Sequence, residues 1–503
     1  MQLSQSNLKD INAQVVGKPN TNIFDLPAKV LQFGTGVLLR GLPDYYIDKA
    51  NKAGIFNGRV VVVKSTDTGS TKEFDEQDAL YTVCVRGIEN GKKIEENIIN
   101  ASISKVLVAG TQWQEVLDFA ASPNLQVVIS NTTEVGIQLV EDDVHAHPPV
   151  SFPGKLLAVL FHRYKIFNGA EDRGLVIVPT ELIPDNATKL KDILLKQAKK
   201  NQLPQDFMNW MQNSNQFCNS LVDRIVPGKP DAAALENLQQ ELGYTDNLLT
   251  MSEVYSLWAI EGDEKVKQKL SFAEADKGVV ITPDINLHRE LKLRLLNGTH
   301  TLSCGVAYLA GFETVKSAMD NEDMENFIAD LMKAEIALAI PYQVTTDVTD
   351  DFADKVLDRF RNPHIKHQWL SISMNYTSKL KMRVVPLLLN HYEKFTHVPQ
   401  LIAFGFAAYI RFVEGKQEGD KFYGELNGTT YHINDDKAAY VNDILIKHQD
   451  NKVEAVLADN FLWGDSLAEL PGFVKAVNKY YEEIKKSSVS TLLKQFKSSK
   501  AQA

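Results

Sequence analysis

The sequence predicts an α/β fold in two parts, an N-terminal doubly wound parallel sheet followed by a mainly α-helical region. Three observations support this. Short runs rich in Val, Ile and Leu alternate with helical segments in the first half, helical periodicity dominates from about Leu287, and the stretch between them mixes charges with Gly278 and Pro283. Continuous apolar strands separated by helices are typical of a parallel sheet covered on both faces.

Five strands are predicted in the first half, each a run of aliphatic or β-branched residues. They are Lys29–Phe33, Arg59–Val63, Ile103–Val108, Gln126–Ser130 and Leu175–Val178. A glycine-rich turn and a helix reaching Asp48 follow the first of them. Strands joined through helices form βαβ units, so we expect a Rossmann-like sheet.

In the second half the helical period is clearest in five segments. These are Leu291–Leu309, Asn321–Ile340, Asp350–Phe360, Val398–Val413 and Ala438–Lys447. One short hairpin is predicted around residues 423–432. We therefore predict two domains, a nucleotide-binding domain of residues 1–284 and a helical substrate-binding domain of residues 285–503.

Composition narrows the class of protein. A formal net charge of −10 argues against nucleic acid as the main partner, because phosphate backbones are bound by basic surfaces, whereas an anionic small molecule needs only a local basic pocket. The N-terminus lacks the pattern of a signal peptide, the longest apolar run covers only Leu401–Ile410, and the three cysteines form no CxxC pair. We expect a cytoplasmic protein without a membrane partner, either a monomer or a small homo-oligomer.

The turn after the first strand is the candidate nucleotide site. It runs from Gly34 through Gly36 to Gly41 but has Leu39 where the full GxGxxG pattern has its third glycine, so an ordinary tight turn is the alternative. Glycines between a strand and a helix let the backbone approach a pyrophosphate. The candidate cofactor contacts here are Phe33, Gly34, Gly36, Val37, Leu38 and Arg40.

Two later strand ends supply further candidate contacts. Lys64 stands where an acid would bind the ribose of NAD, so it could instead face the 2′-phosphate of NADP. Asn131, Thr132 and Glu134 follow the fourth strand and are placed to meet the nicotinamide, although a helix cap at Glu134 explains the same pattern. The choice between NAD and NADP stays open from these residues.

The candidate reacting groups lie in one segment. In an α-helix, Asn297 would lie about 140° and His300 about 80° around the axis from Lys292, so all three would share one half of the circumference. Reducing a ketone by hydride transfer needs a proton donor and hydrogen-bond donors for the developing alkoxide. A partly desolvated lysine can supply the proton, but the spacing also fits a solvent-facing lysine and a core histidine.

These segments together resemble the mannitol dehydrogenase family of polyol-specific long-chain dehydrogenases. The K-x4-N-x2-H pattern from Lys292 to His300 is similar to its catalytic signature, and QFGTGVLLR at residues 32–40 is similar to its cofactor turn. FCNSLVDRIVPG at residues 217–228 and RFRNPHIKHQ at residues 359–368 resemble two further motifs. The matches run in order from about residue 30 to 380.

The resemblance implies a role for each matching residue. It implies catalytic roles for Lys292, Asn297, His300 and Asn186, and substrate-binding roles for Asp223, Lys379 and Arg361. Lys292 would be the general acid and base, and the two asparagines would bind the oxyanion. Lys379 or Arg361 would pair with a substrate carboxylate. Ala187 replaces a family glycine beside Asn186.

The segments SNTTEVGI, PTELIPDNATKL and LNGTHT favour the branch of the family that acts on sugar acids. The resemblance then implies metal-independent, NAD(H)-dependent reduction of D-tagaturonate to D-altronate and the reverse oxidation, as in hexuronate catabolism. Three alternatives stay open. They are a fructuronate (mannonate) or mannitol-type enzyme, a metal site at His145 and His147 in an acidic loop, and a non-catalytic nucleotide sensor.

Overall fold

The computed structural model describes residues 1–66, 70–132 and 136–500. They divide into two compact units. The first unit comprises Met1–Arg86 and Lys93–Ile285, and the second comprises Gly87–Lys92 and Asn286–Ala503.

The first unit is built from strands and helices in alternation. Its strands are β1 (Ala28–Phe33), β2 (Arg59–Lys64), β3 (Tyr81–Glu89), β4 (Lys92–Asn100), β5 (Ile103–Val108), β6 (Val127–Ser130), β7 (Val176–Pro179), β8 (Gln216–Phe217), β9 (Ser220–Asp223), β10 (Thr250–Glu253), β11 (Leu257–Glu261) and β12 (Val279–Thr282), of which the last residues of β3 and the first of β4 are assigned to the second unit. Its α-helices are α1 (Val37–Gly41), α2 (Pro43–Lys52), α3 (Lys72–Glu76), α4 (Ala109–Ala120), α5 (Phe152–Ile166), α6 (Asn186–Lys200), α7 (Gln205–Asn213), α8 (Ala232–Leu242) and α9 (Glu264–Lys269).

The central sheet has six parallel strands in the order β5-β2-β1-β6-β7-β8. Counted along the chain within this sheet, the order is 3-2-1-4-5-6, which is that of a Rossmann fold. The predicted sheet is confirmed, and its five predicted strands agree with the structure to within one residue at each end. The two-residue strand β8 was missed because it is too short to give a pattern.

Both faces of this sheet are buried, which is why its strands are mainly apolar. Leu31, Phe33 and Val61 pack into one core with α4 to α7, whereas Val30 and Val60 pack into a second core on the other face. Successive side chains of a strand point to opposite faces, so both sets must be apolar when helices cover each side.

Other elements of the first unit differ from the predictions. The single helix expected after the glycine turn is two helices, α1 and α2, which break at Leu42 before Pro43. The ring of a proline disfavours helical backbone in the residue before it. Strands β3 and β4 were not predicted; they join β10 in a second sheet, and the exposed, charged β4 has no apolar pattern. A third sheet has the order β12-β11-β9.

The second unit is mainly helical, as predicted. Its α-helices are α10 (Asn286–Leu291), α11 (Thr299–Leu309), α12 (Val315–Met319), α13 (Glu322–Asp330), α14 (Thr346–Phe360), α15 (Trp369–Ile372), α16 (Tyr376–Arg383), α17 (Val385–Lys394), α18 (Gln400–Val413), α19 (Ala438–Lys447), α20 (Lys452–Leu457), α21 (Asn460–Trp463), α22 (Phe473–Lys486) and α23 (Val489–Lys500). The predicted hairpin is part of a three-stranded antiparallel sheet of β13 (Lys416–Glu418), β14 (Lys421–Leu426) and β15 (Thr429–Ile433).

Two of the predicted α-helices contain wider turns. Residues Lys292–Gly298 form a π-helix between α10 and α11, and Leu331–Ile336 form another after α13. At the centre of the unit, α11 packs on α18, where Gly405 leaves room for Leu302 and Gly305 lies against Ala408. Among the residues that the structure describes, no helix is both long and apolar enough to cross a membrane.

Candidate functional site

The glycine turn between β1 and α1 depends on its two glycines in different ways. Gly34 has a φ of +124°, and a Cβ there would lie 2.9 Å from the carbonyl oxygen of Asn131. A side chain at Gly34 would therefore strain the backbone and collide with the next strand end. Gly36 has an ordinary φ of −63°, and a Cβ there would meet nothing within 4 Å. The space in front of Gly36 is therefore open to a ligand.

Three of the predicted cofactor contacts in this turn are directed into the protein. The ring of Phe33 is buried against Phe152, with ring centroids 5.2 Å apart. Arg40 is buried and donates a hydrogen bond to the carbonyl of Leu248. Leu38 packs against the apolar core beneath the sheet. In this structure these side chains support the turn, so their assignment as ligand contacts stays a prediction.

Lys64 and Asn131 are also held by the main chain. The ammonium of Lys64 is buried and donates to the carbonyl of Thr66 two residues on. The amide of Asn131 donates to the carbonyl and the hydroxyl oxygen of Thr180, at 3.1 and 3.0 Å. Glu134 lies outside the described residues. The structure thus brings the ends of β1, β6 and β7 together, as the parallel sheet requires.

Glu181, which the sequence analysis gave no role, organises the loop after β6. Its buried carboxylate accepts hydrogen bonds from the hydroxyl of Ser130 at 3.1 Å and from the backbone N–H and hydroxyl of Thr132 at 2.8 and 3.0 Å. Burial raises the pKa of Glu181, and these hydrogen bonds partly offset that rise. Glu181 therefore fixes the orientation of Thr132, one of the predicted cofactor contacts.

Asn186 lies at the start of α6 and is fully buried. Its amide nitrogen is within 3.1 Å of the carbonyls of Pro179, Glu181 and Ser220, and its oxygen accepts from the N–H of Ala187 and Ser220. Because its hydrogens already bind the main chain, Asn186 ties β7 to β9 in this structure. Its assignment as an oxyanion donor is not supported by this geometry and stays a prediction.

The motif at residues 217–228 packs behind the glycine turn. Arg224 donates to the carbonyl of Gly41 at 2.7 Å, and its guanidinium lies 4.3 Å from the centre of the Tyr45 ring. The side chain of Val226 fills the space that a Cβ at Gly41 would need. Asp223 is buried at the end of β9, opposite Leu257 of β11. This part of the family motif therefore maintains the shape of the nucleotide turn.

In the second unit, Lys292 and Asn297 lie on the π-helix Lys292–Gly298. An α-helix would separate residues five apart by about 140°, whereas the i→i+5 hydrogen bonds of a π-helix bring them nearer to one face. The buried Arg294 holds this segment, donating to Glu290 at 2.9 Å and to the carbonyls of Met382 and Arg383 at 2.8 Å. Single π-turns occur frequently at functional sites.

His300 follows on α11 inside an aromatic setting. Its ring stacks on Phe360 at 4.1 Å and meets the rings of His367 at 5.2 Å and Trp369 at 6.1 Å edge to face. Burial lowers the pKa of His300 well below its ordinary value, and nearby cations lower it further. The imidazole is therefore neutral at neutral pH, and its buried Nε2 has no hydrogen-bond partner among the described residues.

The cations around His300 form what we call the cationic cluster. Its members are Arg359, Lys379 and Arg383; His367 also lies against His300, but burial lowers its pKa, so it adds no charge at neutral pH. Burial lowers the pKa of Lys379, and the positive charge of Arg383 lowers it further. Within the described part of the chain, Lys379 donates to a carbonyl and Arg383 to a hydroxyl, and neither has a carboxylate within ion-pair distance. Such a cluster suits an anionic ligand.

Of the two residues predicted to meet a carboxylate, only Lys379 belongs to this cluster. Arg361 is held by Glu325, with 2.6 Å between Nη2 and Oε1, and by Asp358 at 3.2 Å. Since two carboxylates already compensate its charge, the structure does not favour Arg361 as a substrate contact. In the sequence, the many basic residues between positions 359 and 383 indicated that a cationic cluster could form. The sequence could not show which of these side chains lie together around His300.

The loop with the alternative metal ligands is organised by its acids. Asp142 accepts from the N–H of Val150 at 2.9 Å and of Ser151 at 2.6 Å, and Asp143 accepts from the N–H of His145 at 2.9 Å. Among the described residues, no group of three or more His, Cys, Asp or Glu side chains is arranged to hold a metal ion.

Comparison with known proteins matches almost the whole chain to one family. Residues 28–274 match the mannitol dehydrogenase Rossmann domain, and residues 284–485 match the mannitol dehydrogenase C-terminal domain. The altronate oxidoreductase of Halalkalibacterium halodurans is 41% identical over 416 residues, which cover 82% of this chain and 80% of the relative. That of Bacillus subtilis is 35% identical over 489 residues, covering 95% and 98%.

Solved structures show the same fold. Mannitol 2-dehydrogenase of Pseudomonas fluorescens, in a ternary complex with NAD and D-mannitol, superposes with a TM-score of 0.67 at 23% identity over 99% of each chain. A substrate-free D-sorbitol dehydrogenase superposes with a TM-score of 0.76 at 20% identity, over 97% of this chain and 99% of the other. At these identities the likeness supports the fold and not the substrate.

Proposed function

The chain belongs to the mannitol dehydrogenase family and is an oxidoreductase that acts on CH–OH groups, and we propose that it interconverts D-tagaturonate and D-altronate with NAD(H) and without a metal ion. The altronate oxidoreductases among its relatives support this substrate. The observation that carries the proposal is the cationic cluster around His300, because a sugar acid has a carboxylate and a polyol does not.

The residues of the nucleotide turn fit a dinucleotide. Gly34 allows the sharp turn, and the open space before Gly36 lets a pyrophosphate approach the backbone N–H groups. NADH held by this turn would supply the hydride. Asn131 and Thr132, held by Thr180 and Glu181, would orient its nicotinamide end.

Three side chains of the second unit would handle the carbonyl. Lys292 would donate a proton from Nζ to the carbonyl oxygen as the carbon receives hydride, and would take the proton back from the hydroxyl in the oxidation. The amide of Asn297 would donate a hydrogen bond to the developing alkoxide without adding charge. His300, neutral because burial lowers its pKa, would bind a substrate hydroxyl.

Steady-state rates with a panel of acceptors test the proposal. We expect kcat/KM to be highest for tagaturonate with NADH, lower for fructuronate and lowest for fructose, with no loss after exhaustive chelation. A preference for fructose would overturn the sugar-acid assignment in favour of a mannitol-type enzyme. A preference for fructuronate would keep a sugar acid as the substrate but would replace tagaturonate by its isomer fructuronate. A preference for NADPH would indicate that Lys64 faces a 2′-phosphate.

A further inference from the structure

We propose that Arg383 is the residue that selects substrates carrying a carboxylate. The inference rests on the proposed sugar-acid activity and assigns the discrimination between acids and neutral sugars to one side chain. The sequence predicts Lys379 or Arg361 for this role, and Arg383 is a different residue.

Arg383 has unused hydrogen-bonding capacity inside the cationic cluster. Its Nη1 donates to the hydroxyl of Thr301 at 3.1 Å, while its Nε is buried with no partner among the described residues. A buried charged donor without a partner costs free energy, so a ligand that accepts from it gains affinity. The planar guanidinium offers paired N–H groups that match the two oxygens of a carboxylate.

The neighbouring groups leave this role to Arg383. Lys379 donates to the carbonyl of Ile372 at 2.8 Å, so part of its capacity is already used. The nearby acid, Asp435, accepts from the N–H and hydroxyl of Thr377 at 2.7 and 2.8 Å and from the N–H of Lys437 at 2.9 Å. Asp435 is thereby occupied by another part of the fold and does not neutralise Arg383.

Thr301 connects Arg383 to the reacting groups. Its hydroxyl donates to the carbonyl of Asn297 at 2.7 Å and accepts from Arg383. A single buried side chain therefore sets the distance between the guanidinium and the π-helix that carries Lys292 and Asn297. A substrate carboxylate bound by Arg383 would be held at a fixed distance from the π-helix. The substrate carbonyl would thereby be positioned beside Lys292 and Asn297, so binding of the carboxylate would also place the reacting carbon.

The test measures kcat/KM for tagaturonate and for fructose, and the inhibition constant of altronate against NADH-dependent reduction. In Arg383→Gln we expect the ratio of kcat/KM for the two substrates to fall about 100-fold, mainly through a higher KM for the acid, and the inhibition constant of altronate to rise by a similar factor. Arg383→Lys should recover part of this ratio, since it keeps the charge but loses the paired geometry.

Two further variants separate recognition from general damage. Lys381→Gln removes a positive charge two positions away, where the exposed ammonium donates to the carbonyl of Phe461, and should leave the ratio within about twofold. Thr301→Val keeps Arg383 but removes its anchor, and should lower the ratio by about tenfold. If thermal unfolding shows that Arg383→Gln is poorly folded, Thr301→Val and Arg383→Lys take its place as the test. A wild-type ratio of kcat/KM in both of these variants would then overturn the inference.

The results distinguish this inference from the proposed function. A wild-type enzyme that reduces no uronate overturns the proposed function and the inference with it. A wild-type enzyme that prefers the uronate, with the same preference in Arg383→Gln, overturns the inference alone. If Lys381→Gln lowered the ratio of kcat/KM for tagaturonate and fructose as much as Arg383→Gln does, the discrimination would depend on the total positive charge of the region. That result would also overturn the inference about Arg383.

Discussion

The imidazole of His300 lies flat against the ring of Phe360, with centroids 4.1 Å apart and planes inclined by 10°. This stacking removes one face of the histidine from water, and burial lowers its pKa well below the ordinary value. The neutral ring can both donate and accept a hydrogen bond, which a protonated ring cannot.

The first prediction concerns pH and stability. Below the ordinary pKa of about 6.5, the unfolded chain binds a proton at His300 that the folded chain does not bind. The free energy of unfolding should therefore fall as the pH drops below about 6.5, and less steeply in His300→Gln. Chemical denaturation between about pH 5 and 7 measures this, with the exposed His432→Gln as a control that keeps the wild-type slope. Identical slopes in all three proteins would contradict the lowered pKa.

The second prediction concerns the proton donor. Replacing Lys292 by alanine removes the group that would protonate the carbonyl oxygen, so turnover should fall by at least about 100-fold. Binding of NADH, measured by fluorescence titration, should change little. Lys355→Ala removes an exposed lysine paired with Asp351 on α14 and should retain wild-type turnover. Near-normal turnover in Lys292→Ala would remove this residue from the chemistry.

The third prediction separates the two glycines of the nucleotide turn. Gly34→Ala places a side chain on a backbone with φ of +124° and against the Asn131 carbonyl, so it should lower the free energy of unfolding by about 1–3 kcal/mol. Gly36→Ala meets open space and should fold normally, yet weaken NADH binding by about tenfold or more because its methyl group occupies the ligand's approach. Equal NADH affinity in Gly36→Ala and the wild type would place the pyrophosphate elsewhere.

The fourth prediction concerns a partly buried acid in the second unit. Glu335 accepts hydrogen bonds from the N–H groups of Leu401 and Ile402 at 2.9 and 2.8 Å, and burial raises its pKa to about 7. Between the ordinary pKa of a glutamate and pH 7, the folded chain holds a proton that the unfolded chain has lost. The free energy of unfolding should therefore fall as the pH rises through this window.

Glu335→Gln cannot ionise and should remove this pH dependence, although it loses an acceptor for one N–H and should be less stable at every pH. The exposed Glu469→Gln serves as the matched control in the same denaturation series. A variant of Glu335 that keeps the wild-type pH dependence would show that another group titrates there.

The central sheet could be predicted because burial on both faces gives each strand a continuous apolar run. Arg59–Lys64 and Ile103–Val108 are examples, since every side chain of the first is buried. The strands β4 and β8 could not be predicted in the same way. The exposed β4 gains its place through pairing with β3, and the two residues of β8 are too few for any period to appear.

The candidate site could be predicted in part. The pattern from Lys292 to His300 and the glycine turn were recognisable as residue types at fixed spacing. The π-helix was not, because nothing in the local sequence distinguishes it from an α-helix; Arg294, which donates to carbonyls about 90 residues away, helps to hold it.

The sequence by itself determined the class of fold, the family and the segments that carry chemistry, because these depend on local patterns of apolar residues, glycines and charged groups. Only the tertiary structure decided which basic residues act together. Arg361 is neutralised by Glu325 on another helix, whereas Arg383 is brought beside Thr301 and His300. The charge available to a ligand depends on distances between residues far apart in the chain, and those distances exist only in the folded protein.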